Sequence, residues 1–180
     1  YHEAGHALVA KLMPKTDPVH KVTVIPRGRA LGVTMQLPEG DRYSLDKERM
    51  LSTISVLFGG RIAEELFMNQ MTTGASNDFE RATHLARDMV MRYGMAEKLG
   101  AVSYEGERSA FLGGQISERS YSEETAREID CAVRELINSA FDRATDIVRA
   151  NRELMEEWVQ RLLEKETLGT FLSEHPLSDV

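Results

Sequence analysis

The chain has 180 residues, 42% of them hydrophobic and 28% charged, which is enough for one good-sized soluble domain. Its formal net charge of −7, from 29 acidic and 22 basic residues, argues against a nucleic-acid backbone partner, which would need a basic face. No apolar run reaches the length of a membrane span, and Tyr1 is followed at once by His2 and Glu3, without the basic start of a signal peptide.

Residues 1–13 (YHEAGHALVAKLM) read as a helix with Ala7, Leu8, Leu12 and Met13 among its apolar positions. Pro14 and Pro18 end it, because neither ring is tolerated in a helix interior. Two β-like runs follow, 21–25 and 31–37, separated by a Pro-Arg-Gly-Arg-Ala turn. After the turn at 38–41, Ser44 is the expected N-cap of a helix from about 45 to 67, with an apolar stripe through Met50, Ile54, Phe58 and Ile62. Gly59 and Gly60 interrupt that helix at about 1 kcal/mol each relative to Ala, which predicts close packing against another backbone.

A loop at 71–77 leads to a third helix, 78–93. Residues 94–121 carry no sustained period and five glycines, and a loop this long is expected to be functional or mobile. Ser122, Glu123 and Glu124 open a long helix to Ala150, and Asn151 separates it from another at 152–165. Cys131 lies in the first of these helices and reads as structural filler; a lone cysteine has no internal disulfide partner and fits a reducing compartment. From Thr167 the tail is weakly patterned. The whole reads as one mainly α domain with a small β element near its N-terminus.

His2-Glu3-Ala4-Gly5-His6 carries the chemistry. Two histidines four apart lie on one helix face, so both imidazoles reach one ion, and zinc accepts such nitrogens in a tetrahedral set. Glu3 can then act as general base, taking a proton from the attacking water and passing it to the leaving amine. Gly5, unfavourable in a free helix, lets another segment approach. A catalytic zinc needs a third protein ligand, and none of His20, His84 and His175 follows the second motif histidine at the spacing of the extended zincin motif. A carboxylate is expected instead: Glu64 or Glu65 on the next helix, or Asp78 at the start of the third. The residues alone leave these open, since each also reads as ordinary helix-surface or helix-start acid.

Several blocks in order resemble the protease domain of the FtsH-type, membrane-anchored AAA metalloproteases. They are YHEAGHALVA at 1–10, FGGRIAEELF at 58–67, TTGASNDFERAT at 72–83, MVMRYGM at 89–95 and LGAVSYEG at 99–106, joined by YSEETAREID at 121–130 and LLEKETL at 162–168. The resemblance implies a helical Asp-zincin fold over residues 1–180, one Zn2+ per chain on His2, His6 and Asp78, and Glu3 as catalytic base. Glu64 becomes a structural residue of the Gly-Gly-Arg helix or one that supports a ligand. It implies peptide substrate pairing along an exposed strand edge, placed here at 31–36.

It also implies a parent protein with an upstream membrane anchor and an AAA ATPase module, acting as a homohexamer on unfolded or membrane protein substrates. That parent would sit in the bacterial inner membrane with this part facing the cytoplasm, or in an organelle equivalent. A chain that begins inside a helix without Met reads as a soluble piece of such a protein, touching the membrane only through the missing anchor. No phosphate-binding Gly-x-x-x-x-Gly-Lys loop is present, so ATP belongs to the missing module. Two rivals are weighed against this reading. An inactive homologue serving as an assembly module should have lost Glu3 or a ligand, and all four residues are present. A zinc hydrolase of a non-peptide amide fits the short motif but not the full set of blocks.

Overall fold

The computed structural model describes residues 1–105 and 119–169. Residues 106–118 of the expected loop at 94–121 and the tail beyond 169 lie outside the described residues, as does His175. Helix α1 (His2–Leu12) is the centre of the molecule, with Ala4 to Ala10 all buried. Its end is set by Met13, which turns to an extended conformation ahead of Pro14.

The chain next forms β1 (Val19–Thr23) and β2 (Val33–Gln36), paired antiparallel with an irregularity between Val19 and Lys21. Both fall within or close to the expected β-like runs. A third strand, β3 (Thr167–Leu168), pairs with β1 on its other side, giving the order β2-β1-β3. The sequence predicts only a weakly patterned tail from Thr167 here. Two residues are too short to show alternation, and the strand exists because Glu166 takes a left-handed turn (φ 59°) after helix α5. The Glu166 carbonyl then accepts from the Val24 amide at 3.0 Å, and Thr23 and Thr167 join their hydroxyls at 2.8 Å. Within the described sheet, β2 keeps one edge unpaired.

Helix α2 (Lys47–Ala63) is capped by Asp46, whose side chain accepts from the Arg49 amide, and not by Ser44 as expected. A cap must reach the amide three residues on. The helix begins only where its apolar stripe meets the core, and Leu45 stays half exposed. Asp46 also pairs with Lys15 at 3.0 Å, tying the start of α2 to the end of α1. The expected helix to Phe67 ends as α-helix at Ala63 and continues as a π turn, Glu64–Met68, closed by Asn69 in the left-handed region.

After a 3₁₀ turn at Thr73–Ala75 comes α3 (Ser76–Met91), two residues earlier at both ends than expected. Helix α4 (Glu123–Ala150) is capped by Ser122, which accepts from the Thr125 amide as predicted. Asn151 caps backwards, its side chain donating to the Ile147 carbonyl at 2.8 Å, before α5 (Arg152–Lys165). Cys131 is exposed on α4, so it fills no core space.

One hydrophobic core joins all five helices. Phe58, Ile54, Leu8 and Trp158 are its largest fully buried side chains. The α1–α2 contact is the most intimate. A Cβ on Gly5 would fall 2.2 Å from the Gly59 carbonyl oxygen, and one on Gly59 would fall 2.5 Å from that of Gly5. The two helices touch backbone to backbone, as the glycine pair predicted for Gly59. No described helix is long and apolar enough to cross a membrane.

Candidate metal centre

Helix α1 presents His2 and His6 one turn apart, and the fold brings Asp78 of α3 against both. The two imidazole Nε2 atoms are 3.0 Å apart. Asp78 Oδ2 lies 3.5 Å from His2 Nε2 and 3.3 Å from His6 Nε2. Metal–ligand bonds of about 2.0–2.1 Å in a tetrahedron require ligand atoms about 3.3 Å apart, so these three atoms occupy one face of such a set. They are the one group of three or more His, Cys, Asp or Glu among the described residues that could hold a metal ion.

The opposite ring nitrogens show which way the lone pairs point. His2 Nδ1 meets Glu64 Oε1 at 2.7 Å, and His6 Nδ1 meets the Val56 carbonyl at 2.8 Å. An ionised carboxylate and a carbonyl can only accept, so both Nδ1 atoms carry the proton and both neutral rings turn an Nε2 lone pair inward. Two lone pairs and a carboxylate oxygen then converge without a donor among them. A cation resolves that convergence, and the donor set of two imidazoles and a carboxylate suits zinc.

Without the metal, a proton has to serve. Burial disfavours charge on His2, but hydrogen bonds to Asp78 and Glu64 outweigh it and raise its pKa above the usual 6.5. Burial likewise opposes ionised Asp78. The hydrogen bonds from His2 and His6 prevail and hold its carboxyl well below the usual carboxylate range.

Glu64, weighed with Glu65 and Asp78 as a third ligand, sits behind His2 on the Nδ1 side, away from the converging atoms. It is buried, and both of its oxygens are used. Besides His2, it accepts from the Thr72 amide and hydroxyl at 3.1 Å each. Burial works against its charge, and the bonds from His2 and Thr72 overcome this, lowering its pKa. Arg61 donates to the Thr72 carbonyl at 2.8 Å and stacks 4.7 Å over Phe79. Glu64 and Arg61 therefore fix the segment that delivers Asp78 as well as the ring of His2. Glu65, in the same π turn, lies outside the cluster.

Glu3 points to the sheet, where the Thr34 hydroxyl donates to its Oε2 at 2.8 Å. Gly60 makes room for the rings: a Cβ there would lie 2.6 Å from both Nε2 atoms and 2.5 Å from His2 Cε1. The sequence predicts backbone against Gly60, and it faces imidazole instead. Nothing local in the sequence marks Thr34, Thr72 or the Val56 carbonyl as the partner of a distant side chain.

The chain is 52% identical over 168 residues to the ATP-dependent zinc metalloprotease FtsH of Cupriavidus metallidurans, covering 93% of this chain and 26% of that protein. It is 52% identical over 170 residues to the protein of that name from Magnetococcus marinus (93% of this chain, 25% of the relative). With the one from Streptococcus pneumoniae it shares 51% over 170 residues (94% and 26%). The chain thus spans about a quarter of the length of the curated relatives it matches. The model of peptidase family M41 matches residues 1–172, and the chain belongs to that family.

Proposed function

We propose that residues 1–180 form the proteolytic domain of an ATP-dependent zinc metalloendopeptidase that cuts unfolded or membrane protein chains. In this reading His2, His6 and Asp78 hold one zinc ion and Glu3 is the general base. The observation that carries it is the convergence of two inward lone pairs and one carboxylate oxygen with both Nδ1 atoms locked by acceptors.

Zinc held there would supply Lewis acidity, polarising a scissile carbonyl and acidifying a water molecule. The chain's own residues do the rest. Glu3, one residue after His2, takes the proton from the attacking water and delivers it to the departing amine nitrogen. Glu64 keeps His2 in the tautomer that turns Nε2 inward, and with Arg61 it holds the approach to Asp78. The unpaired edge of β2 (Val33–Gln36) lies on the strand that holds Glu3. It offers main-chain hydrogen bonds to an extended peptide irrespective of its side chains, which suits a protease of unfolded proteins.

The remaining activity belongs to the intact protein. The relatives are named ATP-dependent and are about four times longer than the matched region, which leaves room for an ATPase module and a membrane anchor. We read the intact protein as a homohexamer anchored in the bacterial inner membrane with this domain on the cytoplasmic side, or in an organelle equivalent.

The test is zinc per chain together with degradation of a labelled unfolded protein. One zinc in the wild type, loss of zinc with Asp78→Ala, and chelator-sensitive degradation are expected. A wild type that degrades its substrate equally well after zinc removal overturns the proposal.

A further inference from the structure

The general base of this site stands on a side chain with three rotatable bonds, and its carboxylate loses rotational freedom only if a neighbour fixes it. Something has to hold it. Among the described residues, Thr34 is the one side chain that hydrogen-bonds the Glu3 carboxylate. Its Oγ1 lies 2.8 Å from Glu3 Oε2 and 3.0 Å from the Glu3 carbonyl oxygen. A hydroxyl has one proton to give, and the nearer, charged acceptor takes the stronger bond.

Gly32, two residues earlier, closes the other side of the Glu3 side chain. A Cβ on it would stand 2.8 Å from Glu3 Cγ and 3.2 Å from Cδ, and 2.9 Å from the Thr23 carbonyl oxygen. Bare backbone at position 32 and a hydroxyl at 34 therefore form a cradle on one strand end. Thr34 is paired with Val22 of β1, so the cradle is fixed to the sheet.

The geometry points to Thr34 as a positioning residue for Glu3: its hydroxyl holds Oε2, which leaves Oε1 as the oxygen that receives the proton. In the first step the water O–H bond breaks and the Oε1–H bond forms. In the second that proton leaves Oε1 for the amine nitrogen, and the carboxylate is restored with Thr34 still bound to Oε2. The inference rests on the reading of Glu3 as general base. It adds that strand β2 both offers an edge to substrate and sets the base.

The test compares Thr34→Val with Thr34→Ser in the intact, zinc-loaded protein. Valine keeps the β-branched shape that suits the strand and removes only the hydroxyl; serine keeps the hydroxyl. Loss of a hydrogen bond to a charged group predicts a kcat about 10- to 100-fold lower for Thr34→Val, with KM within about twofold and zinc content unchanged. Thr34→Ser keeps kcat within about threefold of wild type, since the donor remains. In a Glu3→Gln background, Thr34→Val lowers the residual rate no further, because the group it positions is gone.

A second readout needs no turnover. The Glu3 carboxylate stretch, taken as the infrared difference between wild type and Glu3→Gln in zinc-free protein, shifts when Val replaces Thr34. Unchanged kcat and an unshifted band in Thr34→Val overturn the inference while the proteolytic reading stands. Equal loss in the Ser and Val variants overturns it too. A wild type that hydrolyses protein without zinc overturns both.

Discussion

Gly60→Ala separates metal binding from folding. The added Cβ would lie 2.5 Å from His2 Cε1 and 2.6 Å from the Nε2 of His2 and of His6, where real contacts do not fall below 3.0 Å. The rings must therefore retreat by at least about 0.4–0.5 Å, beyond the roughly 0.2 Å that metal–ligand distances tolerate. They have little freedom to do so smoothly, since Glu64 at 2.7 Å and the Val56 carbonyl at 2.8 Å pin their far nitrogens.

Zinc affinity should fall by about 100-fold or more, the upper end of what disturbing a ligand's support costs. The metal-free fold should suffer little. Overpacking costs about 1–3 kcal/mol, and about 1 kcal/mol returns from placing Ala where Gly interrupted a helix. Gly59→Ala is the contrast. Its Cβ would lie 2.5 Å from the Gly5 carbonyl oxygen and 2.9 Å from the His6 amide nitrogen, so two helix backbones must separate. That variant should lose about 2 kcal/mol of stability net, the top of the overpacking range less the same return of about 1 kcal/mol for Ala in a helix. Competition with a chromophoric zinc chelator gives the affinities, and denaturant unfolding in chelator gives the stabilities. Wild-type zinc affinity in Gly60→Ala would refute the reasoning.

Glu3→Gln should keep one zinc per chain and lose turnover, checked by metal analysis and degradation of a labelled protein; loss of zinc would make Glu3 a ligand. Asp78→Ala should release zinc, and in metal-free protein it should lose the stability that the pair with His2 supplies. Glu64→Ala leaves the His2 Nδ1–H and the Thr72 amide unpartnered and should destabilise the fold by about 1–3 kcal/mol, alongside a 10- to 100-fold weaker zinc affinity. Chelator titration and unfolding measure the two effects separately. Zinc must displace the proton from His2, whose pKa is raised above 6.5, so affinity should begin to fall above that pH and then drop about tenfold per unit on acidification.

In metal-free protein the signs are opposite for the two partners. The raised His2 stabilises below its unfolded value of 6.5 and loses this as pH rises through its folded pKa. The depressed Asp78 stabilises above its unfolded value of 3.8 and loses this on strong acidification. Stability from the pair should be greatest between 3.8 and 6.5, as pH-dependent unfolding would show.

The sequence by itself determined what is local. Period and caps specified the helices; prolines and Ser122 marked ends; the four-residue spacing placed His2 and His6 on one face. Even a close backbone approach at Gly5 and at Gly59 was legible, because glycine has no other reason to sit in those helices, but only the structure showed that they meet each other. Long-range partnership was not. Glu64 and Asp78 are both acids on later helices, and only packing put one behind Nδ1 and the other before Nε2. The cap at Asp46 was decided by where α2 meets the core, and β3 by a left-handed turn at Glu166. Thr34 carries no local sign of its hold on Glu3, since a hydroxyl's partner is chosen by the tertiary approach of strand to helix and not by its neighbours in the chain.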